Sequence, residues 1–268
     1  MTTSVRDFEG AVAIVTGGST GLGRSIAEEV ARRGARAVAI NFVGEEKDGE
    51  EAAAAIRALG AEVMLVPGDI GDEDVCRRLV ASVAHYERVD ALFNNAGTTK
   101  FSFDHGDLDN ISGEDFVRIY RVNVVGPYQT IRFARSLLES APLPGAVVNT
   151  SSLAAFASLG SSIPYAASKG ALNTMTIGLA RALAPRIRVN AICPGFMDTP
   201  WFRNVSHNEM ITLRENVAAS VPMNVASKPQ DIAGPAVFLA SPAAAHITGE
   251  TLLVDAGMHL GPKPMQRA

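Results

Sequence analysis

The chain has 268 residues, of which 47% are hydrophobic and 19% charged, with a formal net charge of −4. Length and apolar content suit one folded domain with a sizeable core, and the slight negative balance excludes a dedicated nucleic-acid surface. Two cysteines exclude a disulfide framework and suit a reducing, cytoplasmic setting, and no apolar run reaches the roughly 18 residues of a membrane span.

Short apolar, β-branched runs alternate with segments of helical period. "AVAIVT" (11–16) leads through the glycine-rich "GGSTGLG" into a helix at "RSIAEEVARRG". "AVAINF" (37–42) and "EVMLVP" (62–67) each precede a helix, the second one through "EDVCRRLVASVAHY". "ALFNN" (91–95) precedes a single helix expected over Gly113 to Ser140. "GAVVNTS" (145–151) leads to a helix containing "YAASK", and "RVNAI" (188–192) follows it. A helix through "DIAGPAVFLA" precedes the last strand, "TLLVDA" (251–256). Continuous apolar strands, each followed by a helix, predict a doubly wound, mainly parallel sheet with helices on both faces. Residues 1–268 read as one domain, with a flexible insertion carrying a short helix at about 194–229.

Gly17, Gly21 and Gly23 fall between the first strand and the first helix, with Ser19, Thr20 and Leu22 between them. Glycine lets the backbone approach a ligand closely, and N–H groups at the next helix start attract an anion. In this fold that anion is the diphosphate of a dinucleotide. The spacing is G-x-x-x-G-x-G rather than G-x-G-x-x-G. Asp69, beside Ile70 at the end of the third strand, suits either an adenine amine or a helix N-cap. Asn41 ends the second strand, where a carboxylate binding the ribose 2′-hydroxyl is common. An uncharged residue there removes the repulsion against a 2′-phosphate, which favours NADP(H) while leaving NAD(H) possible. Arg24 and Lys47 are candidate phosphate partners, without an arginine clamp.

Tyr165 and Lys169 stand four residues apart on one helix face, and Ala166, Ala167 and Ser168 between them leave that face open. Together with "TGGSTGLG" (16–23), "NNAG" (94–97), "RVN" ending at Asn123, "NTSS" (149–152), "CPG" (193–195) and "ITGETLLVDAG" (247–257), this chain resembles the short-chain dehydrogenase/reductase family. The resemblance implies a catalytic tetrad. Tyr165 would be the general acid or base, Lys169 would lower its pKa and hold the nicotinamide ribose, and Ser152 would orient the substrate oxygen. Asn123 would hold a water of a proton relay. A phenol titrates near about 10, so a neighbouring cation, together with the charge of the oxidised nicotinamide, is expected to bring it down by a few units.

Asn95, Ala96 and Gly97 are expected to border the cofactor, with Pro194, Gly195 and Thr199 beside the nicotinamide. Phe196, Trp201 and Phe202 are candidates for a lid over a partly apolar ketone or alcohol. Cys193 reads as a small buried residue, and the five histidines form no ligand cluster, so no metal is expected. The expected activity is NAD(P)-dependent ketone reduction or alcohol oxidation on a small molecule. The possible substrates are a 3-oxoacyl thioester, a sugar or polyol, a steroid and a cyclic ketone. A non-catalytic NAD(P)-binding sensor and a non-redox relative such as a dehalogenase are the alternatives. A homotetramer or homodimer would be built on the Gly113–Ser140 and Tyr165 helices.

Overall fold

A computed structural model describes residues 6–102, 104–158, 160–202 and 206–261. Its strands are β1 (Val12–Val15), β2 (Ala37–Phe42), β3 (Glu62–Pro67), β4 (Ala91–Asn94), β5 (Gly145–Thr150), β6 (Ile187–Pro194) and β7 (Thr251–Val254). In chain order the helices are α1 (Gly21–Arg32), α2 (Glu46–Ala58), α3 (Glu73–Ala81), α4 (Gly113–Tyr120), α5 (Gly126–Glu139), α6 (Ala154–Ala157), α7 (Ile163–Leu183), α8 (His207–Ser220) and α9 (Pro229–Ala240).

Among the described residues the strands form one seven-stranded sheet, ordered β3-β2-β1-β4-β5-β6-β7, with every neighbouring pair parallel. All side chains of β1, β2, β4 and β6 are buried, because helices cover both faces. On one face Ile26 and Val30 of α1, Ile56 of α2 and Ile232 and Val237 of α9 pack against Val15, Ile40 and Phe93. On the other, Leu79 of α3, Ile131 and Leu138 of α5 and Ala180 of α7 pack against Ile14, Leu92 and Val147. The chain order reverses direction between β1 and β4, so the carboxyl ends of these two strands open a crevice. The glycine turn, Asn95, Ser152 and Gly195 all follow strand ends on that edge.

Arg188 ties β6 to the end of α9. Its guanidinium is buried and donates to the carbonyl oxygens of Leu239, Ile247, Ala240 and Ser241 at 2.7–3.2 Å. These include carbonyls that the helix end leaves without an internal partner.

Two elements differ from expectation. The single helix over Gly113–Ser140 is interrupted by a π-turn at Arg121–Val125 between α4 and α5. Fully buried Asn123 sits in this wider turn, where its side chain meets neighbouring elements. The 194–229 segment holds a helix of 14 residues, α8, preceded by a 3₁₀ turn at Pro200–Phe202. A capping box of Ser206 and Glu209 starts α8, yet only Met210 of it is buried, so it shows little apolar periodicity. Among the described residues no helix is long and apolar enough to cross a membrane.

Candidate active site

The glycine turn is shaped by one close approach. A Cβ on Gly23 would lie 2.1 Å from the Gly17 carbonyl oxygen, so α1 can start there only with glycine. Gly17 and Gly21 adopt φ of 64° and 53°, which side chains disfavour. Thr20 is the N-cap of α1 and makes no side-chain capping bond, while Ser19 is buried and Leu22 points into the core. Thr199 leans on this turn: a Cβ on Gly21 would meet its Cβ at 3.5 Å.

The neighbouring strand ends hold the turn in place. Asn95 Nδ2 lies 3.2 Å from the carbonyl oxygens of both Thr16 and Gly17. The Asn95 and Ala96 N–H groups each donate to Thr16 Oγ1 at 3.0 Å. Asn41, near the end of β2, turns its side chain into the protein. It is 1% exposed, and its amide donates to the carbonyl oxygens of Val66 and Gly68 at 3.1 and 2.8 Å. Its side chain pins β3 to β2, so its neutrality acts only by leaving a carboxylate out. Asp69 accepts from the Gly71 N–H at 2.8 Å, whereas the N-cap of α3 is Asp72. Asp69 lines a surface cleft of about 390 Å³ with Val117, Arg118, Arg121 and Val122. Buried Ile70 accepts from the Cys76 thiol.

Tyr165 and Lys169 lie in the first two turns of α7, with Pro164 at its start. Tyr165 is half-buried, and the Ser152 side chain beside its hydroxyl favours the ionised form. Ser152 Oγ also accepts from the Ala154 N–H at 3.1 Å, while Ser151 turns the other way and donates to the Lys169 carbonyl at 3.2 Å. Lys169 is 3% exposed, its Nζ donates to the Thr150 carbonyl at 2.7 Å and lies 5.7 Å from the Tyr165 ring centre. A Cβ on Gly97 would meet Asn123 Oδ1 at 3.5 Å and Lys169 Nζ at 3.6 Å, so both flank the same point.

Burial pushes Tyr165 up to about 12, against the opposing effect of the Ser152 side chain. Burial likewise brings Lys169 down to about 8. In both groups desolvation disfavours the charged form. Tyr165 is therefore a protonated phenol at neutral pH, set up as an acid. Cys193 is buried beneath this group, and burial raises its thiol to about 11, so it is no nucleophile.

Asn123 uses its amide within the protein. Nδ2 donates to the Thr98 carbonyl at 3.0 Å and to Ser168 Oγ at 2.9 Å, and Oδ1 accepts from the Thr98 N–H at 2.8 Å. That bonding makes its side chain a brace between the β4 loop and α7.

Four half-buried aromatic rings continue from Tyr165. The Trp201 ring lies 5.7 Å from Tyr165 between centres. Phe202 lies 5.4 Å from Phe196 and 6.0 Å from Phe101. Pro194 closes β6, and Gly195 packs on Asp255, where a Cβ would be 2.9 Å from Asp255 Cβ. His259 is bound to Asp255 at 2.9 Å and His105 to the Gly160 carbonyl at 3.2 Å.

Sequence reasoning missed Thr16, Thr98, Thr150 and Phe101, and Ser168, expected to leave the helix face open, is buried and bonded to Asn123 and the Tyr165 carbonyl. Thr16 and Thr150 carry a signal in retrospect, as polar residues ending apolar strands. Phe101 carries none, because its partner Phe202 belongs to another loop.

A family model described as enoyl-(acyl carrier protein) reductase matches residues 17–259. A Streptomyces violaceoruber protein, named as ketoacyl reductase 2 of the granaticin polyketide synthase, is 39% identical over 253 residues, covering 94% of this chain and 97% of that one. A Burkholderia xenovorans structure described as a short-chain dehydrogenase/reductase superposes with a TM-score of 0.85 at 39% identity, covering 94% and 98% of the two chains. A blue fluorescent protein from a metagenomic library, solved in complex with NADPH, superposes with a TM-score of 0.82 at 31% identity, covering 94% and 98%. A likeness of this extent, in sequence and in fold, places this chain in the short-chain dehydrogenase/reductase family, and it is an oxidoreductase dependent on NAD(P).

Proposed function

We propose that this protein reduces a ketone to a secondary alcohol with NADPH, and runs the reverse oxidation when driven. The observation that carries this reading is the Ser152–Tyr165 hydroxyl pair with Lys169 fixed behind it on the Thr150 carbonyl. The residues present fit a dinucleotide: the turn at Gly17, Gly21 and Gly23 leaves a cradle that a Cβ on Gly23 would destroy. Ser19, Thr20 and the α1 N–H groups would hold the diphosphate, Asp69 and Ile70 the adenine, and Lys169 the nicotinamide ribose. Asn95, Ala96, Gly97, Pro194, Gly195 and Thr199 would border the nicotinamide end. The absent carboxylate at Asn41 and the NADPH bound by the metagenomic relative favour the phosphorylated coenzyme, with NAD(H) also accepted.

When bound, the coenzyme supplies the hydride. Ser152 holds the carbonyl oxygen, and Tyr165 gives that oxygen its proton as the alcohol forms. The tyrosinate left behind is stabilised by the ammonium of Lys169, which desolvation makes more effective than in water. Asn123 keeps the Thr98 loop and α7 in register so that the two hydroxyls stay aligned. Phe196, Trp201 and Phe202 cover the substrate and exclude water.

The test is Tyr165→Phe. Ketone-dependent NADPH oxidation should fall about 10³-fold, the range for a lost general acid, while NADPH affinity by fluorescence titration stays near that of the parent. Binding without turnover in the parent would favour the non-catalytic sensor and end the reductase reading.

Exposed Val117, Val125 and Tyr128 on the α4–α5 rod and Ile163 and Ile177 on α7 support a homodimer or homotetramer. Light scattering that gives a monomer mass would exclude it. Cys76 and Cys193, buried and free, support a reducing cytoplasmic location within a single catalytic domain.

A further inference from the structure

We propose that the preferred substrates are planar, uncharged ring ketones, selected by an aromatic wall in which Phe101 is a specificity residue; this rests on the reductase reading above. Two loops supply the wall. Phe101 follows β4, and Phe196, Trp201 and Phe202 follow β6, yet Phe202 contacts both Phe101 and Phe196 at ring-centre distances of 6.0 and 5.4 Å. Trp201 continues this row onto the ring of Tyr165 itself, at 5.7 Å and a 55° tilt. Backbone at Gly160 lies on the same tyrosine ring, where a Cβ would be 3.5 Å from Cδ1. A ketone that presents its oxygen to Ser152 and Tyr165 therefore meets flat faces on the side toward the loops. Flat aromatic faces reward a planar ring through offset or edge-on contact, and a flexible alkyl chain less so.

Polar groups around this wall are already committed to one another. Lys100, next to Phe101, is bound to Asp115 at 2.7 Å, and Asp198, before Trp201, accepts from Arg214 at 2.9 Å. The hydroxyls of Thr99 and Ser161 lie 2.6 Å apart. A sugar would bury hydroxyls against groups already bonded to one another, and a phosphate- or carboxylate-bearing substrate would find these cations engaged.

The test uses the full chain with NADPH and three carbonyl probes: α-tetralone, methyl octyl ketone of equal carbon number, and dihydroxyacetone. The bicyclic ketone should lead the other two in kcat/KM by at least about tenfold, equivalent to about 1.4 kcal/mol. Phe101→Ala should erase most of that lead through KM, with NADPH affinity changed less than about threefold. Phe101→Leu keeps apolar volume without a flat face and should lose the lead as well, which covers failure of the alanine variant to fold. Equal or better use of the acyclic or polyhydroxy probe, or a lead retained in Phe101→Leu, would overturn the inference and leave the reductase reading standing. No turnover of any probe with NADPH bound would instead overturn the reductase reading, and this inference with it.

Discussion

The floor of the cleft and its cover are held by different physics. In the floor, Lys169, Asn123, Ser168 and Asn149 are buried polar side chains, each with a named partner at 2.7–3.0 Å. In a low-dielectric interior such satisfied networks fix one geometry, because leaving any member unpaired is costly. Among its described residues the cover, from Phe196 through α8, has one buried helical side chain, Met210, and meets the body through the Met197–Ser227 bridge, through Thr199 beside Gly21 and through the Trp201 and Phe202 rings, while the Asp198–Arg214 pair ties the cover to itself. Segments with so few buried contacts open at a small fraction of the global stability. On the proposed function, proton transfer belongs to the rigid floor and substrate choice to a part that can rearrange.

The comparison is broken most severely at Lys169. Lys169→Met removes the charge behind Tyr165 and should lower turnover by about 10²–10³-fold, the range for loss of one preorganised electrostatic partner. The same change should alter stability against pH with a definite sign. Lys169 titrates at about 8 in the folded protein, against 10.5 ordinarily. Below pH 8 both folded and unfolded chains carry the charge, so the burial penalty is fully present. Between about 8 and 10.5 the unfolded chain binds more protons, so stability rises with pH by up to about 3 kcal/mol. Urea titrations at pH 7 and 10 should show this rise in the parent and its absence in Lys169→Met. An equal rise in both would assign it elsewhere.

Next in size is the floor's mechanical tie at Arg188. Arg188→Met keeps the chain's length but strips four carbonyl oxygens of their donor. It should destabilise by about 3 kcal/mol, as for removing one partner of a buried polar cluster. Thermal unfolding followed by circular dichroism would record it, and a shift below 1 °C would make Arg188 dispensable. Gly23→Ala comes third. Its methyl would sit 2.1 Å from the Gly17 carbonyl, forcing α1 away from the turn. Overpacking of this kind costs about 2 kcal/mol, or about 30-fold in NADPH affinity. Unchanged affinity by calorimetry would remove the turn from the coenzyme site.

Legibility in the sequence follows the same division. Strands covered on both faces need apolar residues at every position, so β2 coincides with the run at 37–42, while the edge strand β3, only partly buried, still follows the run at 62–67. Tyr165, Lys169 and Ser152 could be singled out because their spacing repeats a family motif. The cover left no such trace. With one buried side chain in 14, α8 has no apolar stripe to read. The π-turn is equally silent, since Arg121–Val125 differs from α-helix only by where Asn123 finds Thr98 and Ser168. The raised tyrosine was beyond reach for another reason. Spacing says that a cation is near, whereas desolvation depends on everything else packed around the hydroxyl.

The smallest effect is the sharpest test of the cover. Arg214 Nη2 donates to Asp198 Oδ1 at 2.9 Å, with Nε 2.8 Å from Oδ2, and the side chains are 42% and 26% exposed. A partly exposed pair of this kind contributes less than about 1 kcal/mol. It spans from α8 to the residue before Thr199, so loosening it acts on Thr199 and Trp201 together. Arg214→Ala should raise KM for α-tetralone about two- to fivefold, leave kcat within about twofold, and barely move the melting temperature. Salt at about 1 M should raise the parent's KM in the same direction and have less effect on the variant, because screening already removes most of what the pair supplies. A loss of stability as large as that of Arg188→Met would mean that α8 is bound into the body as firmly as the floor, and the division between a rigid floor and a movable cover would not hold.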